Sequence, residues 1–368
     1  MAQHSPAGDA TAVRPPPDAA RTYWRRAVAP YEQASIRSAS LGLLTSVVPY
    51  LALSVAMYLL LPVSVWLTLL LAVPASGFLL RTFIVFHDCT HGSYLPTKRG
   101  NRRLGRVIGL LVFQPYANWG HNHAVHHGTA GDLDRRGQGD IETLTVAEYE
   151  ARPWPGRLAY RLFRNPGVMF GIGPIWAMIV GPRFWNKNMR PRQIHSVWLT
   201  DIALIILVGA TIAVVGPLAW LLVEMSTWVL AGAAGVFLFY VQHQFEDAYW
   251  ETAEDWDYAD AALKGSSYLK LPRLAQFFTG NIGFHHVHHL SAKIPNYNLQ
   301  RAHDEIRIFD DVPVLTFADG VRSVRLKLID PDGGRLLTWS QARALRPGRS
   351  AYGLDLSTKS SISRSGPT

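Results

Sequence analysis

Cysteine is nearly absent from this chain of 368 residues. The one cysteine, Cys89, can form neither an intrachain disulfide nor a CxxC metal site, so any bound metal must take nitrogen or oxygen ligands. Acidic residues are in the minority, 27 Asp+Glu against 36 Lys+Arg, for a formal net charge of +9. Such an excess suits nucleic acid, anionic lipid or an acidic protein. Zinc-finger spacing and RRM-like aromatic motifs are both missing, which argues against nucleic acid. Also missing are a flavin or nicotinamide glycine fingerprint, an internal repeat and a cleavable signal-peptide pattern. Residues 1–40 are polar, with Pro15, Pro16 and Pro17 in a row, and are expected to be partly disordered. Residues 346–368, rich in Ser, Gly and Arg, are expected to form a disordered tail.

Charge is scarcest in four long apolar runs. A hydrocarbon core of about 30 Å needs roughly 20 apolar residues of helix. Residues 41–61 meet this without a charge, and residues 63–86 meet it with Arg81 alone near the end, where it could snorkel. A second pair is expected at about 202–222 and 226–242. Two turns could separate that pair, Gly216-Pro217 or Val223-Glu224-Met225. The second is preferred because it puts Glu224 in water, with Trp220 and Trp228 at the interface. Two shorter stretches, Leu104 to Trp119 and Val168 to Gly181, read as interfacial or re-entrant helices.

Basic residues then set the topology. Arg21, Arg25, Arg26 and Arg37 precede the first run, and Lys98, Arg99, Arg102, Arg103 and Arg106 follow the second, while the turn between them is uncharged. The positive-inside rule places both termini and the central loop in the cytoplasm. The expected fold is an all-α integral membrane protein: four transmembrane helices in two hairpins under a cytoplasmic helical cap, with 41–345 as one functional domain in the inner membrane.

Histidine is what the chain has in surplus: 14 residues, most of them clustered. His87 and His91 are spaced i, i+4, where the second run leaves the membrane. His123, His126 and His127 form an H-x-x-H-H motif, and His285, His288 and His289 form another. Each spacing puts imidazoles on neighbouring positions of one helical face. One H-x-x-H-H is expected by chance roughly 0.02 times in a chain of this composition, so unrelated core and surface histidines do not account for two. His243 stands where the fourth run ends. Under the positive-inside topology all these residues meet on one side. Eight or nine nitrogen ligands are too many for one ion and fit two. Imidazole suits Zn, Cu, Fe and Ni, but only redox-active irons could activate O₂ against an unactivated C–H bond, while a zinc pair could activate water. The Glu-x-x-His pattern of soluble di-iron bundles is absent.

At these motifs the chain resembles the membrane fatty acid desaturase and hydroxylase superfamily, and within it the bacterial acyl-lipid enzymes of delta-12 or omega-6 type. The resemblance covers roughly Leu41 to Glu305. It rests on the three boxes, on Gly131-Asp132-Leu133-Asp134-Arg135-Arg136-Gly137 and Gly139 to Val146 between them, and on Thr279 to Phe284 and Ile294 to Leu299 around the third. The first box, H-x-x-x-H, is the acyl-lipid form. Thr90 and Gly92 depart from the family, which often has Gly and His there. The resemblance implies that His87, His91, His123, His126, His127, His243, His285, His288 and His289 are the ligands of two Fe ions. It also implies O₂ as cosubstrate and a cis double bond inserted into the acyl chain of a lipid (or an acyl-CoA or acyl-ACP). Electrons would come from an external ferredoxin-like or cytochrome-type donor. A hydroxylase or ketolase of the same superfamily is the alternative. A membrane metal transporter is a more distant one, since transporters keep their polar ligands inside the spans. His121 and His286 are expected to support ligands rather than bind metal, and His4, His195 and His303 to be surface or structural. Asp88, Asp140, Glu142, Glu246 and Asp247 are candidates for holding ligand imidazoles by the second ring nitrogen. Arg135 and Arg136 could meet a lipid or CoA head group or simply be solvated.

Overall fold

The computed structural model describes residues 24–137 and 139–345. His4, the proline run, Arg21 and the 346–368 tail lie outside them. The fold is mostly helical, and among the described residues four helices are long and apolar enough to cross a membrane: α1 (Ile36–Leu60), α2 (Val65–His91), α7 (Pro191–Val215) and α8 (Pro217–His243). Between α2 and α7 run α3 (Lys98–Leu111), α4 (Tyr116–Thr129), α5 (Trp154–Phe163) and the shorter apolar α6 (Val168–Arg183). After α8 come α9 (His285–Leu290) and α10 (Asn296–Glu305).

Local chemistry sets the helix ends. Ser35 caps α1 by accepting from the Ser38 N–H, and Ser64 caps α2 by accepting from that of Leu67. Gly92, at φ +74°, closes α2 in the left-handed conformation immediately after His91. Large apolar side chains on the four long helices face outward. Trp66 is 77% exposed and Val214 85%, a pattern that suits lipid rather than water as the surrounding medium. The helices α1 and α2, joined by residues 61–64, pack along each other. Helix α8 packs chiefly on α2, and α7 on α3, α4 and the start of α8.

The second pair of spans departs from expectation. Its first helix begins at Pro191 rather than near 202, and the turn is Gly216-Pro217 rather than Val223-Glu224-Met225. Gly216 takes φ +85°, and Pro217 starts the next helix at a position that needs no N–H donor. Glu224 therefore lies within α8, in a π-helical turn (Leu221–Met225), and accepts from the hydroxyls of Tyr58 at 2.9 Å and Tyr50 at 3.5 Å. Two phenols from α1 replace the water that the sequence argument had assigned to it. Trp228 is not at an interface either: it is 3% exposed, with its ring 4.4 Å from that of Phe113. Arg81 donates to the Phe277 carbonyl and lies over that ring. Helix α6 is mostly π-helical and is tied at its end to α7 by the Arg183–Asp201 ion pair.

The expectation of an all-α fold needs correction. Strands β1 (Tyr268–Lys270) and β2 (Val314–Thr316) pair in parallel, and β3 (Leu326–Asp330) and β4 (Arg335–Thr338) form an antiparallel hairpin. Pro331-Asp332-Gly333-Gly334 makes the turn of the hairpin, with Gly334 at φ +59°. This turn signal was in the sequence, but the strands are too short to show alternation. Part of the N-terminal segment is ordered. Trp24 stacks on Tyr258, Tyr31 donates to Glu305, and Asn298 donates to the Tyr31 carbonyl, so residues 24–33 strap onto α10.

Candidate metal centre

Four helices bring nine histidines together. His87 and His91 occupy the last turn of α2, His123, His126 and His127 lie on α4, His243 ends α8, and His285, His288 and His289 lie on α9. Their nitrogens converge on two points. One is surrounded by His87, His91, His123, His127 and His288, the other by His126, His243, His285 and His289. Within each group the nearest nitrogens lie within 4.8 Å of one another. The helical repeat explains the partition. On α4 the i, i+4 pair His123 and His127 faces the first point and His126 the second. On α9 the i, i+4 pair His285 and His289 faces the second and His288 the first. The His127 and His289 rings stack at 4.1 Å between the two groups.

The donor set fits metal ions. The Nε2 atoms of His123 and His87 are 2.9 Å apart, as are those of His243 and His285, and His127 Nε2 is 3.2 Å from His123 Nε2. Nitrogens bound to one ion at about 2.0–2.1 Å sit at such separations. The buried Nε2 atoms of His91, His126, His288 and His289 have no hydrogen-bond partner. Buried polar atoms are rarely left so, and a cation would satisfy them. Burial, and then the neighbouring imidazoles, hold His123, His127, His285, His288 and His289 well below the usual histidine pKa, so they stay neutral and able to ligate.

The family model for fatty acid desaturases matches residues 23–314. The chain belongs to the fatty acid desaturase family. It is 44% identical over 312 residues to a fatty acid desaturase of Bacillus subtilis (strain 168), covering 85% of this chain and 89% of that one. It is 27% identical over 234 residues to the sn-1 oleoyl-lipid 12-desaturase of Synechocystis sp. (strain ATCC 27184 / PCC 6803 / Kazusa), covering 62% and 65%. Over 241 residues it is 26% identical to the sn-1 acyl-lipid omega-3 desaturase (ferredoxin) of Nostoc sp. (strain 36), covering 61% and 63%.

Around the histidines this desaturase places two of the five candidate acids. Asp88 is 2.9 Å from His87 Nδ1, and its other oxygen accepts from the Asn296 N–H at 2.7 Å, which ties the first box to the segment after the third. Asp140 hydrogen-bonds His126 Nδ1. The Gly265 carbonyl, 3.1 Å from His243 Nδ1, does the same for His243. Each contact turns Nε2 toward the cluster. Sequence reasoning missed the Asn296 and Gly265 contacts, because backbone groups leave no trace in residue type. Glu142 instead pairs with Arg152, and Glu246 and Asp247 are exposed. His286 is fully buried but turned away, 3.0 Å from His303 Nδ1. His121 is half-buried and in neither group, and His195 is exposed. Arg135 pairs with Asp132 and Arg136 with Glu148.

Beside the histidines opens a cavity of about 500 Å³. It runs between α2, α6 and α8, and His87, His123 and His285 form part of its wall. Most of the lining is apolar, including Leu80, Ile84, Met169 and Trp228, and among the described residues it contains no Lys or Arg. Gly232 lets α6 approach α8: a Cβ there would lie 2.8 Å from Pro174 Cβ.

Proposed function

We propose that this desaturase inserts a cis double bond into the acyl chain of a membrane lipid, using O₂ and two iron ions, one in each histidine group. The observation that carries the reading is an apolar cavity ending at a five-histidine and a four-histidine cluster. Bound iron would supply the O₂-dependent oxidation that removes two hydrogens from adjacent carbons, with O₂ reduced to two waters. The chain's own residues supply placement. His87, His91, His123, His127 and His288 would hold one ion, and His126, His243, His285 and His289 the other. Asp88, Asp140 and the Gly265 carbonyl fix the rings of His87, His126 and His243. The cavity walls exclude water and hold one pair of methylenes against the cluster, and geometry alone distinguishes that pair from its neighbours.

An intact lipid is favoured over acyl-CoA or acyl-ACP by the relatives named as sn-1 oleoyl-lipid and sn-1 acyl-lipid desaturases. The four apolar helices and the basic loops support two hairpins in the inner membrane, with both termini and a helical cap over the irons in the cytoplasm. The basic balance suits an acidic external donor, ferredoxin-like or cytochrome-type. The test is expression in a host without polyunsaturated lipids, followed by double-bond mapping and iron analysis of the purified protein. The expected result is new double bonds and two irons per chain. His126→Ala should still insert in the membrane but lose product, and full yield from it would sink the ligand assignment. A gain of oxygen without loss of two hydrogens would favour the hydroxylase or ketolase alternative.

A further inference from the structure

The cavity is lopsided about the histidines. On one side it descends between α2 and α8 to Leu79 and Trp228. Leu79 precedes His87 by eight residues and Trp228 precedes Gln242 by fourteen, all four lining the cavity. At 1.5 Å per residue these are about 12 and 21 Å of helix. On the other side only a few residues, among them Asn122 and the exposed Gly139, continue the lining past the cluster, level with Asp140 and its partner His126. The deep arm is apolar and ends on Trp228, which is 3% exposed and braced edge-on by Phe113. The floor brings no charged side chain and a single unpaired donor, the Trp228 Nε1–H, so a polar head group would be strongly disfavoured there. It belongs at the short, open side.

We infer that the deep arm holds the methyl end of the acyl chain and that this arm is long, so the new double bond lies toward the carbonyl end. Three bonds of extended chain span about 3.3–3.6 Å, so an arm of about 12–21 Å takes roughly ten to seventeen carbons beyond the histidines. This differs from the 12- and omega-3 positions in the relatives' names. The inference rests on the reading that the cavity takes an acyl chain. Two residues set the length. Trp228 is the floor, and Gly235, halfway between Trp228 and Gln242, keeps the bore open. A Cβ at Gly235 would meet only Leu80 Cδ1, at 3.7 Å, so a larger side chain there projects into free space without displacing backbone.

The test supplies acyl chains of 14, 16 and 18 carbons to cells expressing the full chain, and maps double bonds by mass spectrometry. The wild type is expected to leave about ten or more carbons on the methyl side of the new bond. Gly235→Leu should cut product from 18-carbon chains by about tenfold or more and from 14-carbon ones by less, and Gly235→Ala should shift the preference less, in the same direction. Trp228→Ala should extend use toward longer chains. Iron content reports whether each variant folds. Wild-type double bonds within about six carbons of the methyl end overturn the inference and leave the desaturase reading intact. So does a Gly235→Leu protein with normal iron and no change in chain-length preference. If no double bond forms in any chain, the acyl-chain reading fails and takes the inference with it.

Discussion

Asp140 and Asp88 do different work although each holds one imidazole. Asp140 hydrogen-bonds His126, in the four-histidine group. Asp88 couples His87 to the backbone at Asn296, and so serves the five-histidine group and the packing of α10 together. With the two groups holding iron as proposed, Asp140→Ala is expected to weaken iron at one site by about 10- to 100-fold, leaving close to one iron per chain by elemental analysis. Retention of both irons would refute the role. His286 provides the opposite control. Its ring packs against Phe309 and His303, away from both groups, and burial has pushed its pKa down to about 3. His286→Gln should keep both irons and cost on the order of 1 kcal/mol in stability, measured by thermal unfolding in detergent. At this scale the sequence was most legible. An i, i+3, i+4 pattern selects side chains on one helical face whatever the helix packs against. It did not show which histidine joins which group, because that depends on how α4 and α9 face each other.

At the scale of elements, the turn between α7 and α8 shows where hydropathy misleads. A carboxylate in an apolar run reads as a loop, yet here it joins two helices. Glu224 fastens α8 to α1 through Tyr50 and Tyr58. Glu224→Ala should cost roughly 1–2 kcal/mol, and Tyr58→Phe less, both measured as loss of thermal stability. If Glu224→Ala unfolds at the wild-type temperature, the contact contributes nothing. Gly216-Pro217 was the better turn signal because it acts through backbone geometry, whereas the solvation of Glu224 could be met by partners far away in sequence. The hairpin of β3 and β4 was overlooked for a related reason. Leu326, Leu328 and Ile329 are buried on both faces, so the strand does not alternate.

The whole molecule is tied together beneath the histidines by Arg164, which is fully buried. It donates to the Glu142 carbonyl, Thr143, Tyr240, Gln244 and the Leu326 carbonyl, and so joins α5, the central loop, the end of α8 and β3. Tyr240 and Gln244 flank His243. Arg164→Met strands several buried acceptors and is expected to cost on the order of 2–4 kcal/mol, with iron lost first from the four-histidine group. Equal loss from both groups would argue against a local link to His243. Lys327 lies beside it and donates to the Arg164 carbonyl. Burial first, and then the Arg164 charge, push its pKa down to about 8. A lysine whose folded pKa is lowered opposes folding fully below that value, and the opposition lifts as pH rises from about 8 toward 10.5. Unfolding temperature should therefore gain a rising contribution across that window, and Lys327→Met should lose it. An identical slope in the variant would assign the effect elsewhere.

Spacing and hydropathy are local properties, readable in the sequence wherever a single helix face or a single run of about twenty residues expresses them. They selected eight of the nine histidines that the fold gathers and the four helices able to span a membrane, while His243 entered from its place after the fourth run and from the family resemblance. The division into five and four, the rings held by Asn296 through Asp88 and by Gly265, the pairing of Glu224, the hub at Arg164 and the depth of the cavity each depend on groups tens to hundreds of residues apart. Only packing brings those groups within a few ångströms, and no local pattern records that distance.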